Sequence, residues 1–211
     1  MILTFIGIGN VGYSISNHLG KLGHRIIIGH EDAANETVRE ALRKNPDFRY
    51  ATLQDAVDEA EIVFLATPFG ANESILNPLR FTNRILIDCT NPVGPGMTHG
   101  LQSRSSGAER VAEWAGDARV VKSFSVYGFE NFRYGVADKY TSRPIMPIAS
   151  DHVDAKEAVS PLIREMGFDI LDTGVLSSAL HLEHMTLLWV KMVRAGGAPN
   201  FTWGCPKLPI L

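Results

Sequence analysis

Near the amino terminus, Gly7-Ile8-Gly9-Asn10-Val11-Gly12 joins an apolar run, residues 2–6, to a segment of helical character, residues 13–22. Three glycines at this spacing arise by chance in many chains. Between a strand and a helix they form the fingerprint of a dinucleotide-binding βαβ unit. Gly7 then makes the tight turn, Gly9 leaves room for a pyrophosphate against the backbone, and Gly12 lets the helix approach the strand. The free N–H groups and positive dipole end of that helix face the phosphates. Without a ligand, the same pattern is a tight β–α turn and nothing more.

Strand and helix patterns alternate downstream. Strands are expected at 25–29, 48–51, 61–67, 84–90 and 119–124, with helices at 33–44, 53–60, 71–76 and 108–115. Such alternation predicts an α/β chain with a Rossmann-type, doubly wound and mostly parallel sheet. Two more strands, 143–149 and 168–173, bracket a helix at 153–166 that Pro161 kinks or divides. The stretch 91–100, NPVGPGMTHG, is too dense in glycine and proline for regular structure, and 126–142 reads as irregular. A helix at 176–194 and a tail at 195–211 form a small C-terminal helical appendage. The chain thus divides into a dinucleotide-binding domain, 1–175, and an appendage, 176–211, that caps the site or makes a dimer interface.

A net charge of -3 lacks the basic face of a nucleic-acid-binding chain. Two cysteines make no disulfide framework or metal spacing, and no apolar run approaches the roughly 18 residues that span a bilayer. The N-terminus carries no secretory-signal pattern, so a cytoplasmic protein with neither nucleic-acid nor membrane partner is expected. His181, Glu183 and His184 have no third ligand at metal spacing and read as helix surface or core edge. Cys89 reads as a small buried hydrophobe rather than a nucleophile. His99 and Arg104 either contact an anionic acceptor or face solvent, and no residue is assigned a catalytic role. Trp189, Phe201 and Trp203 read as core or dimer interface, giving an expected homodimer.

The acid that grips the adenine ribose usually follows the second strand. That corner here is Gly29-His30-Glu31-Asp32. A carboxylate would bind the 2′-hydroxyl of NAD and repel the 2′-phosphate of NADP. At about 5 Å and an effective dielectric near 20, the repulsion is about 3 kcal/mol per unit charge before solvent screening. Two other readings stay open: Glu31 and Asp32 as solvated residues at the next helix, or His30 or Arg39 reaching a phosphate.

The ordered motifs GIGNVG, GHRIIIG, FLATPF, DCTNPVGPG, RVVKSFSVYG and DTGVLSSALHLEHMTLLW resemble those of the 8-hydroxy-5-deazaflavin (coenzyme F-420):NADP oxidoreductase family. That fold also forms the cytoplasmic domain of animal metalloreductases. The resemblance covers nearly the whole chain. It implies NADP or NAD as cofactor, with a deazaflavin or flavin-type small-molecule acceptor stacked on the nicotinamide and receiving hydride. It places Gly7, Ile8, Gly9, Asn10, Val11 and Gly12 at the pyrophosphate, and Thr67 and Pro68 beside the nicotinamide ribose. Asn91 and Pro92 come over the nicotinamide, with Ser125 flanking the reactive rings. His30 and Glu31 stand where the family commonly has Ser-Arg. Alternatives are reduction of a small imine or carbonyl substrate, and a non-catalytic dinucleotide-sensing module.

Overall fold

The structure, a computed structural model, describes residues 1–133 and 143–205. Of the stretch 126–142, expected to be irregular, residues 134–142 fall outside the described residues, as does the end of the tail, 206–211. From the N-terminus run β1 (Ile2–Ile6), α1 (Asn10–Lys21), β2 (Arg25–Gly29), α2 (Glu36–Lys44), β3 (Arg49–Ala51) and α3 (Leu53–Glu59). Next come β4 (Ile62–Leu65), α4 (Asn72–Leu76), β5 (Ile85–Asp88), a hairpin of β6 (Val93–Gly94) and β7 (Thr98–His99), α5 (Gly107–Ala115) and β8 (Arg119–Lys122). The chain continues through β9 (Ile145–Ile148), α6 (Val153–Glu165) and β10 (Asp169–Asp172) to α7 (Ala179–Arg194).

Six strands form one parallel sheet in the order β3-β2-β1-β4-β5-β8. β4 and β5 are buried throughout, as a parallel sheet covered on both faces requires. Successive side chains supply opposite faces. Ile62 and Phe64 enter one core with Leu3 and Phe5, whereas Val63 and Leu65 enter the other with Ile6 and Leu86. Phe64 stacks on Phe5 at 4.5 Å between centroids and meets Phe124 at 5.6 Å. β9 and β10 form a separate parallel pair, which joins the main sheet where Ala149 bridges Lys122.

Three sequence expectations are corrected. The 91–100 stretch is not wholly irregular: Val93 pairs with His99 and Gly94 with Thr98 across a turn whose Gly96 has φ +65°. A positive φ at glycine lets so short a hairpin close. Pro161 does not divide the helix around it, for α6 runs through unbroken. The fourth and fifth strands stop at Leu65 and Asp88, which leaves Thr67 and Thr90 on the turns beyond.

The tail folds back on its own chain. Trp203 accepts a backbone hydrogen bond from Ile145 (2.9 Å), and the indole N–H of buried Trp189 donates to the Phe201 carbonyl (2.8 Å). Along α7, Leu188 and Met192 remain exposed. No helix among the described residues is long and apolar enough to cross a membrane.

Candidate functional site

The sheet order reverses between β1 and β4, and ligands of open α/β sheets bind in the crevice beyond the strand ends at such a point. A cleft of about 420 Å3 lies there, lined by Gly7, Ile8 and Gly9, by His30 and Glu31, and by Thr67 and Pro68. Of the remaining sequence-predicted site residues, Asn10 lines a neighbouring hollow with Lys44 and Arg133. Val11, Gly12, Asn91, Pro92 and Ser125 are not among the lining residues of either.

The three glycines have separate physical reasons. Gly7 has φ +93°, and a Cβ there would stand 2.6 Å from the Ala66 carbonyl carbon. A Cβ on Gly12 would stand 2.1 Å from the Gly7 carbonyl oxygen. These two glycines therefore serve the fold. At Gly9 a Cβ would meet no atom of the described residues within 4 Å. Among the described residues nothing requires glycine at that position, and the space in front of it has room for a ligand.

The start of α1 is equally open. Its N-cap Gly9 supplies no side-chain cap, and its first turn holds no acidic residue. By contrast, Asn35 caps α2, and Ser106 with Glu109 forms a capping box on α5. Free N–H groups and an unopposed dipole make the α1 terminus an anion site.

At the β2 corner, the His30 ring accepts the Asp32 N–H (2.9 Å) and Asp32 accepts the Ala34 N–H (2.8 Å). The Tyr50 hydroxyl donates to the His30 carbonyl (3.0 Å). Asp32 is thus engaged in its own turn, while exposed Glu31 lines both the cleft and an adjoining groove that includes Arg80. No lysine or arginine lines the cleft among the described residues, and Arg39 is absent from its wall.

On the other side of β1 the cleft rests on a buried polar network. The Thr67 hydroxyl donates to Asn72 (2.6 Å), Asn72 to the Thr90 hydroxyl (3.1 Å), and Thr90 to Asp88 (2.7 Å). The fully buried Lys122 ammonium lies 2.9 Å from Asp88 and 3.3 Å from Glu183, and also donates to the Thr90 carbonyl. Burial alone would lower the Lys122 pKa, but the Asp88 and Glu183 carboxylates outweigh it and hold the ammonium above its ordinary value. Glu183 also accepts from the Gly107 N–H (2.8 Å) and the His99 ring (2.8 Å). The ring's other nitrogen accepts the Ser103 N–H (3.1 Å), so neutral His99 carries its proton toward Glu183.

This arrangement corrects the reading of His99, which is buried and held by Glu183 rather than solvent-exposed or turned to an acceptor. His181 and His184 do lie on the helix surface, with His184 against the Ser103 hydroxyl. Asn91 donates to the Ser125 carbonyl (2.9 Å) and shares the Thr186 hydroxyl with it. Ser125 is buried, and among the described residues its hydroxyl has no hydrogen-bond partner. Sequence reasoning assigned no role to Asp88, Lys122 or Asn72 and did not pair Glu183. The available signal was a lysine closing the apolar run Val120-Val121 and a glutamate on an apolar helix, since each needs a partner if buried.

Residues 2–92 match the family described as NADP oxidoreductase, coenzyme F420-dependent. Over 185 residues the chain is 30% identical to Metalloreductase STEAP3 of Rattus norvegicus, covering 86% of this chain and 36% of that protein. It is 28% identical over 205 residues to the F420-dependent NADP reductase of Methanothermobacter marburgensis, covering 88% and 89%. The chain thus spans about a third of the metalloreductase it matches and most of the archaeal reductase. A putative F420-dependent NADP-reductase from Arthrobacter sp. FB24 has the same fold at TM-score 0.80 and 22% identity, over 97% of this chain and 99% of that one. A reductive aminase from Aspergillus terreus shares the fold at TM-score 0.67 and 16% identity, over 92% and 62%. The family that the motifs resemble is the one whose description residues 2–92 match, and the Rossmann fold is shared with the solved structures.

Burial pushes the Cys89 thiol pKa up, and the neighbouring Asp88 charge pushes it further, so the sulfur is no thiolate at neutral pH. Cys205 is exposed. A thiol reagent at pH 8 is expected to titrate one cysteine in the native protein and two after denaturation. Rapid native reaction of Cys89, located by mass spectrometry, would restore it as a nucleophile.

Proposed function

For a chain whose residues 2–92 match the coenzyme F420-dependent NADP oxidoreductases, we propose hydride transfer between a nicotinamide dinucleotide in the β1/β4 cleft and a planar deazaflavin- or flavin-type acceptor. The observation that carries this reading is the uncapped, acid-free start of α1 beside the empty Cβ position of Gly9. Those features fit a pyrophosphate: the backbone supplies donors, and the missing side chain supplies room. The redox chemistry belongs to the nicotinamide and its acceptor. The chain contributes proximity and orientation, through the glycine loop on one side of β1 and the Thr67 turn on the other. Asn91, Pro92 and Ser125, on the loops after β5 and β8, are the residues proposed to border the acceptor. The test is oxidation of NADH and NADPH against a panel of deazaflavin, flavin, ferric and imine acceptors; turnover with imines alone would displace the reading.

Gly9→Val is expected to abolish dinucleotide binding with the fold intact, because its side chain enters space that none of the described residues fills. Calorimetry with NADH and NADPH reads the loss, and unchanged affinity for both would refute the cleft assignment.

Cofactor choice rests on Glu31. An exposed carboxylate facing the cleft disfavours a 2′-phosphate, and among the described residues no lysine or arginine lines the cleft to balance it. Glu31→Arg is expected to raise affinity for NADPH relative to NADH by about tenfold or more, a change of about 1.4 kcal/mol. A constant ratio would mean that Glu31 points to solvent.

The proposed assembly is a homodimer. Leu188, Met192 and Phe201 are 51%, 37% and 38% exposed, and the first two lie one turn apart on α7. Light scattering at micromolar concentration is expected to give twice the 23.2 kDa chain mass, and a 23.2 kDa species would overturn the dimer.

A further inference from the structure

We infer that the buried Lys122–Asp88 pair fixes the polarity of the Thr67 hydroxyl, making it a hydrogen-bond acceptor toward the cleft and a positioning group for a donor on the nicotinamide half of the ligand. This rests on the dinucleotide reading above.

The chain of hydrogen bonds has one consistent direction. One Asp88 carboxylate oxygen receives the Lys122 ammonium at 2.9 Å, and the other receives the Thr90 N–H at 2.8 Å. Both oxygens face donors, so the Thr90 hydroxyl, 2.7 Å from the second, donates as well. Its proton is then committed. The Asn72 atom 3.1 Å from that hydroxyl must be the amide nitrogen, which turns the amide oxygen toward Thr67. Thr67, at 2.6 Å from this oxygen, has to donate to it. What remains for the cleft is the lone pairs of Thr67.

The order cannot reverse while the ion pair stands, because an ammonium has no acceptor and a carboxylate no proton. Asn72, Asp88 and Lys122 are fully buried, so water is not there to substitute for a member of the chain. The Asn72 amide also keeps the chain from passing protons, since it cannot exchange one oxygen-bound proton for another. The network orients a hydroxyl; it does not conduct.

Position assigns the ligand half. The adenosine corner lies at the end of β2, on one side of β1, and Thr67 lies past β4 on the other. The group at Thr67 is therefore a sugar hydroxyl or carboxamide N–H of the nicotinamide nucleoside. A phosphate oxygen has no proton to offer and finds none here.

A double-mutant cycle tests this, with dissociation constants for NADH and for ADP, which lacks the nicotinamide half. Thr67→Val and Thr90→Val are each expected to weaken NADH by about fivefold to tenfold, the range of one oriented hydrogen bond, and ADP by less than about twofold. The double variant should bind NADH no worse than Thr67→Val, since Thr90 acts through Thr67. Thr67→Ser should keep wild-type affinity. If Thr90→Val does not fold, Asn72→Leu takes its place and leaves the Lys122–Asp88 pair intact. Multiplying effects in the double variant would overturn the inference, as would an equal loss for ADP or an unaffected Thr67→Val. Wild-type protein that binds neither NADH nor NADPH would overturn the cleft reading and this inference together, whereas binding with an additive cycle would overturn this inference alone; if NADPH alone binds, the cycle is run with NADPH.

Discussion

The structure depends on one ammonium group. Lys122 ends β8 with its side chain fully buried, a position that is strongly unfavourable for an unpaired charge. Three acceptors meet it: Asp88 at the end of β5, the Thr90 carbonyl just beyond, and Glu183 on α7. One side chain thereby fastens two central strands to the last helix. Removing either carboxylate would leave a buried charge undercompensated, a loss of about 3–5 kcal/mol in comparable pairs. The raised Lys122 pKa gives the sign of the pH dependence. Its contribution is complete at every pH below the ordinary lysine value and fades only as pH rises through the higher folded value.

The same cluster explains why one helix start is free and another is not. Glu183 spends its acceptors on the Gly107 and Ala108 N–H groups, so the dipole of α5 is answered inside the protein. At α1, among the described residues, no side-chain cap and no first-turn acid answers it. Two helices of one fold, beginning at the same edge of the sheet, thus have opposite roles: α5 anchors a buried carboxylate and α1 presents bare donors to the cleft. The difference lies in which residues precede and face each first turn, Ser106 and Glu183 in one case and Gly9 in the other.

How much of this was legible in the sequence follows from the range of the interactions. The central strands announce themselves as apolar runs, and the turn at Gly7 to Gly12 is local, so sheet class and glycine loop could be read directly. The hairpin at Val93–Gly94 and Thr98–His99 could not, because each of its strands is only two residues long and a glycine turn enables the pairing. The buried cluster was illegible for another reason. Lys122 and Asp88 lie 34 residues apart and His99 and Glu183 84 apart, and no periodicity links them. Each alone resembles a surface residue; only the parallel pairing of β5 with β8 and the packing of α7 bring them together. Thr67 was named as a site residue, but Thr90 lies in the DCTNPVGPG motif with no role assigned to it, and Asn72 belongs to no motif.

Under the proposed dinucleotide reading, the two halves of the cleft discriminate by different physics. At the β2 corner, Glu31 acts as an exposed charge, and its effect on a 2′-phosphate is discounted by water and screened over about 8 Å at physiological salt. Selectivity there is graded, varies with ionic strength, and responds to a single substitution because no other side chain must move. At Thr67 the discrimination is between a donor and an acceptor, enforced through groups that water does not reach. An unmatched polar contact in such surroundings costs its full desolvation, which salt does not relieve. The adenosine end can thus be tuned by surface charge while the nicotinamide end stays fixed by the buried pair. Under the proposed dinucleotide reading, that division keeps the hydride-bearing half of the ligand in one orientation whichever dinucleotide the corner admits.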